Sequence, residues 1–317
     1  MAEIHSRPLG KSGLSTPRLV LGGNVFGFTM RDEAEAFRLL DRFVDGGGTM
    51  IDTADVYSSW VPGNVGGESE TIIGSWLKQS GRRDDVLIAT KVGYEAGLGA
   101  DSIALGAEAS LRRLGIDRID LYYAHKDDAG TPLEESLGAF DRLVRGGKVA
   151  ALGASNYSAE RLAAAFDLSE REGLAAFTVL QPEYNLMSRG DYEGALQQLC
   201  VERGIGVLPY FGLASGFLTG KYRSEADFGK SVRGGRMAAY LNPTGLAVLA
   251  ALDAVAAETG ATQAQVALAW LAAQPGVTAP IASATSVEQL DELLAVLTLD
   301  LSDDQVDRLN SASRNDQ

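Results

Sequence analysis

"VLIATKVG", residues 86–93, is apolar at nearly every position until Lys91 interrupts it close to the end. A strand with one wet face alternates apolar and polar residues. A continuous apolar run suits a parallel strand buried on both faces. Seven further runs share this character: "RLVLGG" (18–23), "TMIDT" (49–53), "RIDLYYAH" (118–125), "VAALGASN" (149–156), "FTVLQPEYN" (177–185), "IGVLPYF" (205–211) and "VTAPIAS" (277–283). Between them lie amphipathic stretches. In "TPLEESLGAFDRLVRGGK" a Thr131–Glu134 capping box is expected, with Pro132 at the first helical position. Leu133, Leu137, Phe140 and Val144 would line one face, and Gly146-Gly147 would stop the helix. Asp101 opens another such stretch, with Ile103, Ala107, Leu111 and Leu114 on its core side; Thr262–Gln265 and Ser286–Gln289 read as two further capping boxes.

Eight strand–helix units with no linker or break in composition predict an α/β fold, a (β/α)8 TIM barrel, spanning residues 1–317 as one domain. The competing architecture is a doubly wound sheet. Three additions are expected: a short hairpin at "RPLGKSGLS", a long connection after strand seven (212–244), and a final helix at "SDDQVDRLNSAS". The chain has 317 residues, 45% of them apolar, enough for a large core.

The net charge of -14 argues against nucleic acid and anionic membrane as partners. No apolar run is long enough for a membrane span, and the N-terminus lacks a signal-peptide stretch. Two histidines and one cysteine, Cys200, leave too few soft ligands for a zinc site, so no metal is expected. A lone cysteine fits a reducing, cytoplasmic setting. Nothing in the sequence chooses between a monomer and a homo-oligomer.

Barrel chemistry sits where strands end at the C-terminal face. Asp52 ends the second run, with Tyr57 in the loop after it; Lys91 ends the third and His125 the fourth. Consecutive strands are neighbours, so these groups converge on one patch. A phenol near pKa ~10 is a weak acid at neutral pH. A buried ammonium beside it would stabilise the phenolate and lower that pKa. Asp52 would hold Lys91 charged, Tyr57 would protonate a carbonyl oxygen, and His125 would orient that oxygen. No side chain supplies hydride, so an external donor is required.

The chain resembles the aldo-keto reductases. The matching motifs, in family order, are "GGNVFG", "MIDTADVY", "GGESETIIG", "LIATKVG", "DLYYAH", "PLEESLGAFDRLVRGGKVAALGASNYS", "QPEYNL", "GVLPYFGLASGFLTGKY" and "SATSVEQL". The resemblance implies a catalytic tetrad of Asp52, Tyr57, Lys91 and His125, with Tyr57 as general acid. It implies NADP(H) extended over the C-terminal face, with NAD(H) as the lesser possibility, and a small carbonyl or alcohol substrate. By match to the family, Ser155, Asn156 and Gln181 would bind the nicotinamide carboxamide and Tyr210 would stack under the ring. Gly23 and Asn24 would line the mouth, and Phe211 to Gly216, with Leu213 and Ser215, would cradle the pyrophosphate. Lys221 and Arg236 match family positions, as do Gln289 and Glu292. Ser283 and Leu293 depart from it, standing where the family commonly has Gly and Asn.

Independent physical support exists for the phosphate end. Thr285 and Ser286 stand at a helix N-terminus, which favours anions. The loop after strand seven carries Lys221, Arg223, Lys230, Arg233 and Arg236 against Glu225 and Asp227, which favours NADP. The substrate pocket is expected among Phe26, Trp60 and Tyr94, with Asn24, Met30 and Met187 nearby. Three competing functions bear weighing. Tyr122 and Lys126 satisfy the Tyr-x-x-x-Lys of short-chain dehydrogenases, but that pair needs a helix and this stretch reads as a strand. A Schiff-base lyase using Lys91 would need a depressed lysine pKa, opposite to the effect of Asp52. A catalytically weak, NADP-binding regulatory subunit, as among channel β-subunits of the same family, is disfavoured by His125.

Overall fold

In the computed structural model, residues 4–230 and 234–314 are described. Two short strands, β1 (Arg7–Pro8) and β2 (Ser15–Thr16), pair antiparallel as the expected hairpin. Eight parallel strands follow: β3 (Val20–Gly22), β4 (Met50–Asp52), β5 (Leu87–Val92), β6 (Ile119–Ala124), β7 (Val149–Ser155), β8 (Phe177–Gln181), β9 (Gly206–Val207) and β10 (Ile281–Ala282). Their order is β10-β3-β4-β5-β6-β7-β8-β9. The two ends meet: Val207 bridges Val277 in parallel, Thr278 N–H donates to Val207 O at 2.9 Å, and Ile281 N–H donates to Pro209 O at 2.8 Å. The sheet therefore closes into the predicted barrel, and the doubly wound sheet is excluded. β9 and β10 are shorter than their apolar runs. Pro209 and Pro280 have no N–H to give the ladder there.

The helices on the outside are α1 (Glu33–Asp45), α2 (Glu68–Ser80), α3 (Ala100–Leu114), α4 (Leu133–Arg145), α5 (Ala159–Glu172), α6 (Ala195–Arg203), α7 (Pro243–Thr259), α8 (Gln263–Ala273), α9 (Val287–Leu294) and α10 (Asp303–Ala312). The last is the expected C-terminal addition. None is long and apolar enough alone to cross a membrane. The long connection after β9 winds through three short 3-10 stretches, at 214–219 (kinked at Ser215 and Gly216), 225–230 and 234–239. Three local expectations need correcting. α4 begins after Pro132, and Thr131 spends its hydroxyl on Asp128 Oδ2 at 2.7 Å, so no Thr131–Glu134 box forms. α3 begins at Ala100 on a Gly99 cap rather than at Asp101. Ser286 accepts from Gln289 N–H, but Gln289 turns its oxygen to Thr285, so that box is half made, whereas the Thr262–Gln265 box is complete.

Side-chain parity divides the core in two. Val20, Met50, Ala89, Leu121, Tyr123, Ala151, Val179 and Leu208 fill the barrel interior, and Leu9 of the hairpin packs with them. Their neighbours Leu21, Ile51, Ile88, Tyr122, Leu152 and Leu180 face the helices. Tyr123 fits only because position 153 is glycine: a Cβ there would lie 2.4 Å from the ring. Two residues further along, the same inward parity selects Asp52 after Met50, Lys91 after Ala89, His125 after Tyr123 and Gln181 after Val179; Ser155 comes four after Ala151. The barrel thus delivers five polar side chains to its C-terminal mouth.

Candidate active site

Lys91 is fully buried, and its ammonium has three acceptors: Asp52 Oδ2 at 2.6 Å, Thr53 O at 2.8 Å and Tyr57 Oη at 3.0 Å. An ammonium carries three protons, so these contacts use all of them. The Tyr57 oxygen therefore accepts from Lys91, and its own O–H is left to point elsewhere. Gln181 Nε2 donates to Asp52 Oδ1 at 2.8 Å, so both carboxylate oxygens of the buried Asp52 are held.

The loop after β4 returns Tyr57 over the barrel. Asp55 N–H donates to Lys91 O at 3.2 Å and Tyr57 N–H to Ala54 O at 3.3 Å. Ser58 takes a left-handed φ of 73° and donates its hydroxyl to Phe26 O at 2.8 Å. A non-glycine residue in that region is strained, and here a buried hydrogen bond holds it. The His125 ring centroid lies 6.0 Å from that of Tyr57 and 4.8 Å from that of Tyr94. His125 Nδ1 is buried without a partner among the described residues. Trp60 meets Tyr57 and Phe28 edge-on, with centroids at 6.3 Å and 5.8 Å.

The electrostatics refine the sequence reading. Burial pushes the Tyr57 phenol above its ordinary value; Lys91 pulls the other way without reversing it. The expected lowering is thus corrected, because dehydration of a phenolate outweighs one nearby cation. The phenol therefore keeps its proton at neutral pH, and Lys91 is placed where it would stabilise the anion left by donation. Burial alone would lower Lys91, but Asp52 and then Tyr57 raise it overall. Burial, then Lys91 and Lys126, lower His125 to about 2, which leaves a neutral imidazole. Asp55, behind Tyr57, is raised to about 7 by burial and by Glu70, and its Oδ1 has no partner among the described residues.

The expected nicotinamide contacts form a chain. Ser155 Oγ donates to Gln181 O at 2.9 Å, Asn156 Nδ2 donates to His125 O at 2.9 Å, and Tyr210 Oη donates to Asn156 Oδ1 at 2.7 Å. Gly23 N–H donates to Asp52 O at 2.7 Å, while Asn24 Oδ1 accepts from Ser283 Oγ at 2.8 Å. The 211–216 turn is strained, with positive φ at Phe211, Ala214, Ser215 and Gly216 around Leu213. Ala214 N–H and Gly216 N–H close the turn on Phe211 O and Leu213 O at 2.7 and 2.8 Å, and the N–H groups that such a turn leaves over can form a concavity suited to anions. A Cβ on Gly216 would lie 3.8 Å from Lys221 Nζ, so a cation flanks that concavity. These residues fit a nicotinamide dinucleotide.

Other expectations change. Phe26 is fully buried in the core and is not a pocket residue; Met30 is buried with it. Trp60 and Tyr94 are 52% and 46% exposed at the mouth. Of the loop cations, Arg223 is bound to both Asp253 oxygens at 2.8 and 2.9 Å, and Lys230 to Asp227 at 2.7 Å, so neither is available. Lys221 and Arg236 have no carboxylate partner among the described residues; Arg233 lies outside them. At α9, Gln289 occupies Thr285 N–H and hydroxyl, and Glu288 sits against its own N–H and Ser286, which holds its carboxyl below the usual range. The anion-favouring end is therefore partly spent on a carboxylate of the chain itself. Leu293 is in the core, and Glu292 is exposed, its carbonyl taking Gln265 Nε2. Tyr122 and Lys126 are not a pair: Tyr122 faces the helix layer against Phe140, while Lys126 is exposed at the mouth. Sequence reasoning missed the Thr53 carbonyl, which no side-chain signal marks, and Phe28 beside Trp60.

A sequence profile described as the Aldo/keto reductase family matches residues 18–314. A "Probable voltage-gated potassium channel subunit beta" of Arabidopsis thaliana is 34% identical over 301 residues, 91% of this chain and 90% of its own. An "Aldo-keto reductase yakc [NADP(+)]" of Schizosaccharomyces pombe is 33% identical over 296 residues, covering 87% and 82%. An "L-glyceraldehyde 3-phosphate reductase" of Escherichia coli is 32% identical over 313 residues, covering 93% and 88%.

Proposed function

The chain belongs to the aldo/keto reductase family, and from that premise we propose that it reversibly reduces an aldehyde or ketone to an alcohol with NADP(H). One observation carries this reading. All three protons of the Lys91 ammonium are committed, the third to Tyr57 Oη, which leaves the phenolic proton free for a carbonyl oxygen at the mouth. A bound dihydronicotinamide would supply the hydride. Tyr57 gives its proton as that hydride arrives, and Lys91 stabilises the resulting phenolate. Asp52 and Gln181 fix Lys91. His125, neutral, donates a hydrogen bond that orients the carbonyl. The raised Lys91 pKa disfavours the lyase reading, which needs a free amine.

On the cofactor side, Ser155, Asn156, Gln181 and Tyr210 would hold the nicotinamide, and Gly23 and Asn24 would border it. The 211–216 turn would hold the pyrophosphate. Lys221 and Arg236 favour the extra phosphate of NADP, and the relative named for NADP(+) agrees. Buried Cys200 fits a cytoplasmic setting. The relative named as a channel subunit motivates the second reading, a regulatory NADP-binding protein with little turnover. A panel of aldehydes, ketones and alcohols, followed by nicotinamide absorbance with each cofactor, separates the two. Turnover supports the reductase. Tight NADPH binding with no turnover across the panel would leave the regulatory reading.

A further inference from the structure

The mouth of this acidic protein is lined by unpaired cations. Lys126 follows His125 directly and is exposed, with its Nζ 4.7 Å from the Tyr94 ring centroid. That ring in turn lies 4.8 Å from His125. The carboxylates next to Lys126 are committed elsewhere. Asp127 binds Arg161 at 2.8 Å, and Asp128 accepts from Leu98 N–H, Gly130 N–H and the Thr131 hydroxyl. Lys126 itself has no carboxylate partner among the described residues. Arg31 Nε donates to Phe28 O at 3.1 Å, and Arg31 likewise has no ion pair among the described residues. Glu95, beside Tyr94, accepts at 3.4 Å from Ser59. Trp60, with Phe28 edge-on against it, meets the Tyr57 ring, and Tyr94 meets the His125 ring, so aromatic side chains flank both candidate catalytic groups.

We infer that the site selects carbonyl compounds carrying an anionic group, a carboxylate or phosphate ester, which Lys126 binds while the carbonyl oxygen lies at Tyr57 and His125. The inference rests on the reductase reading. In the reaction the carbonyl carbon takes hydride from the dihydronicotinamide, which is oxidised by two electrons. The oxygen takes the Tyr57 proton, solvent restores that proton, and the anionic group is unchanged. Lys126 already acts at this spot, since its charge helps to keep His125 neutral. An ammonium resting on an aromatic face is also pre-positioned, so little freedom is lost when it meets an anion.

The test compares matched substrates with NADPH: 4-carboxybenzaldehyde against its methyl ester, and succinic semialdehyde against its methyl ester. The ratio of kcat/KM, anion over ester, is expected to be about tenfold in the wild type, as for one charged hydrogen bond. It should collapse toward one in Lys126→Ala, invert in Lys126→Glu and survive in Lys126→Arg. Lys11→Ala, on the hairpin at the far end of the barrel, should keep the wild-type ratio. A second readout needs no turnover: quenching of tryptophan fluorescence by benzoate against benzamide with NADP+ present. Benzoate should bind about tenfold tighter, and Lys126→Ala should erase the difference. A wild-type ratio near one, or a ratio unmoved in Lys126→Ala, overturns the inference. If no carbonyl is turned over, the reductase reading falls and the titration still decides the anion site.

Discussion

Lys91 Nζ lies 3.0 Å from Tyr57 Oη and donates to it, which settles the direction of every other proton in the pair. A phenol oxygen that accepts from an ammonium cannot also aim its own hydrogen there. The proton is left for another acceptor, and the Trp60 and His125 rings lie next to that of Tyr57. Catalysis requires groups that act more strongly in the transition state than on the substrate. In the proposed reaction Lys91 would meet this condition, since its attraction for Tyr57 would grow as a phenolate forms.

Replacing Tyr57 with Phe removes the proton and little else. Turnover should fall at least ~100-fold while NADPH still binds. Steady-state kinetics with a cofactor titration checks both. The pH profile of the wild type adds a sign. The acid must be protonated, so reduction should hold steady through neutral pH and fall as pH rises through the elevated Tyr57 value. Near-normal turnover in Tyr57→Phe would remove Tyr57 from the role of acid.

Lys91→Met should destabilise as well as inactivate. It strands Asp52 Oδ2 and Thr53 O inside the barrel, and breaking a buried pair costs about 3–5 kcal/mol. The double variant Asp52→Asn with Lys91→Met should regain part of that stability and none of the turnover. Urea unfolding of the three proteins checks it. A Lys91→Met midpoint equal to the wild type would show that the pair is not held as described.

Most of the barrel was legible because parallel strands buried on both faces leave continuous apolar runs, as "VLIATKVG" does. The convergence of Asp52, Lys91 and His125 was legible for the same reason: strand ends sit on one face. What escaped depended on partners distant in sequence. Arg223 looked available until Asp253, on α7, bound both its nitrogens. Phe26 looked like a pocket aromatic until the Ser58 hydroxyl tied its carbonyl and folded it into the core. Lys126 resembled any solvated lysine after a strand; only the position of Tyr94 distinguishes it.

Asp55→Asn should change the pH dependence of stability. Folded, Asp55 keeps its proton to about pH 7, whereas the unfolded chain releases it near pH ~3.9. Its contribution is present below the unfolded value and is lost as pH rises to the folded one. His125 works in the opposite sense. Its folded value of about 2 lies below an unfolded ~6.5, so its contribution is full above that and is lost as pH falls. Between pH ~4 and ~6.5 the two offset each other. Asp55→Asn should therefore gain stability over the wild type as pH rises from ~4 to ~7, by about 2–4 kcal/mol. Urea midpoints across that range check it, and parallel curves for the two proteins would rule it out.

The adenosine end of the proposed cofactor supplies the last prediction. Lys221 and Arg236 are the loop cations without a carboxylate partner among the described residues, and Lys221 stands beside the strained turn at Gly216. A phosphate monoester gains most from such groups, because charge-assisted hydrogen bonds are the strong ones. NADPH and NADH differ by that phosphate alone. Lys221→Ala and Arg236→Ala should each weaken NADPH binding by about tenfold and NADH binding by much less. Arg223→Ala should disturb neither preference, since Arg223 is already held by Asp253. Calorimetric titration of the three variants with both cofactors decides it. Equal losses for NADPH and NADH in Lys221→Ala and Arg236→Ala would show that these cations serve the shared pyrophosphate or the loop, and NADP preference would have to arise elsewhere.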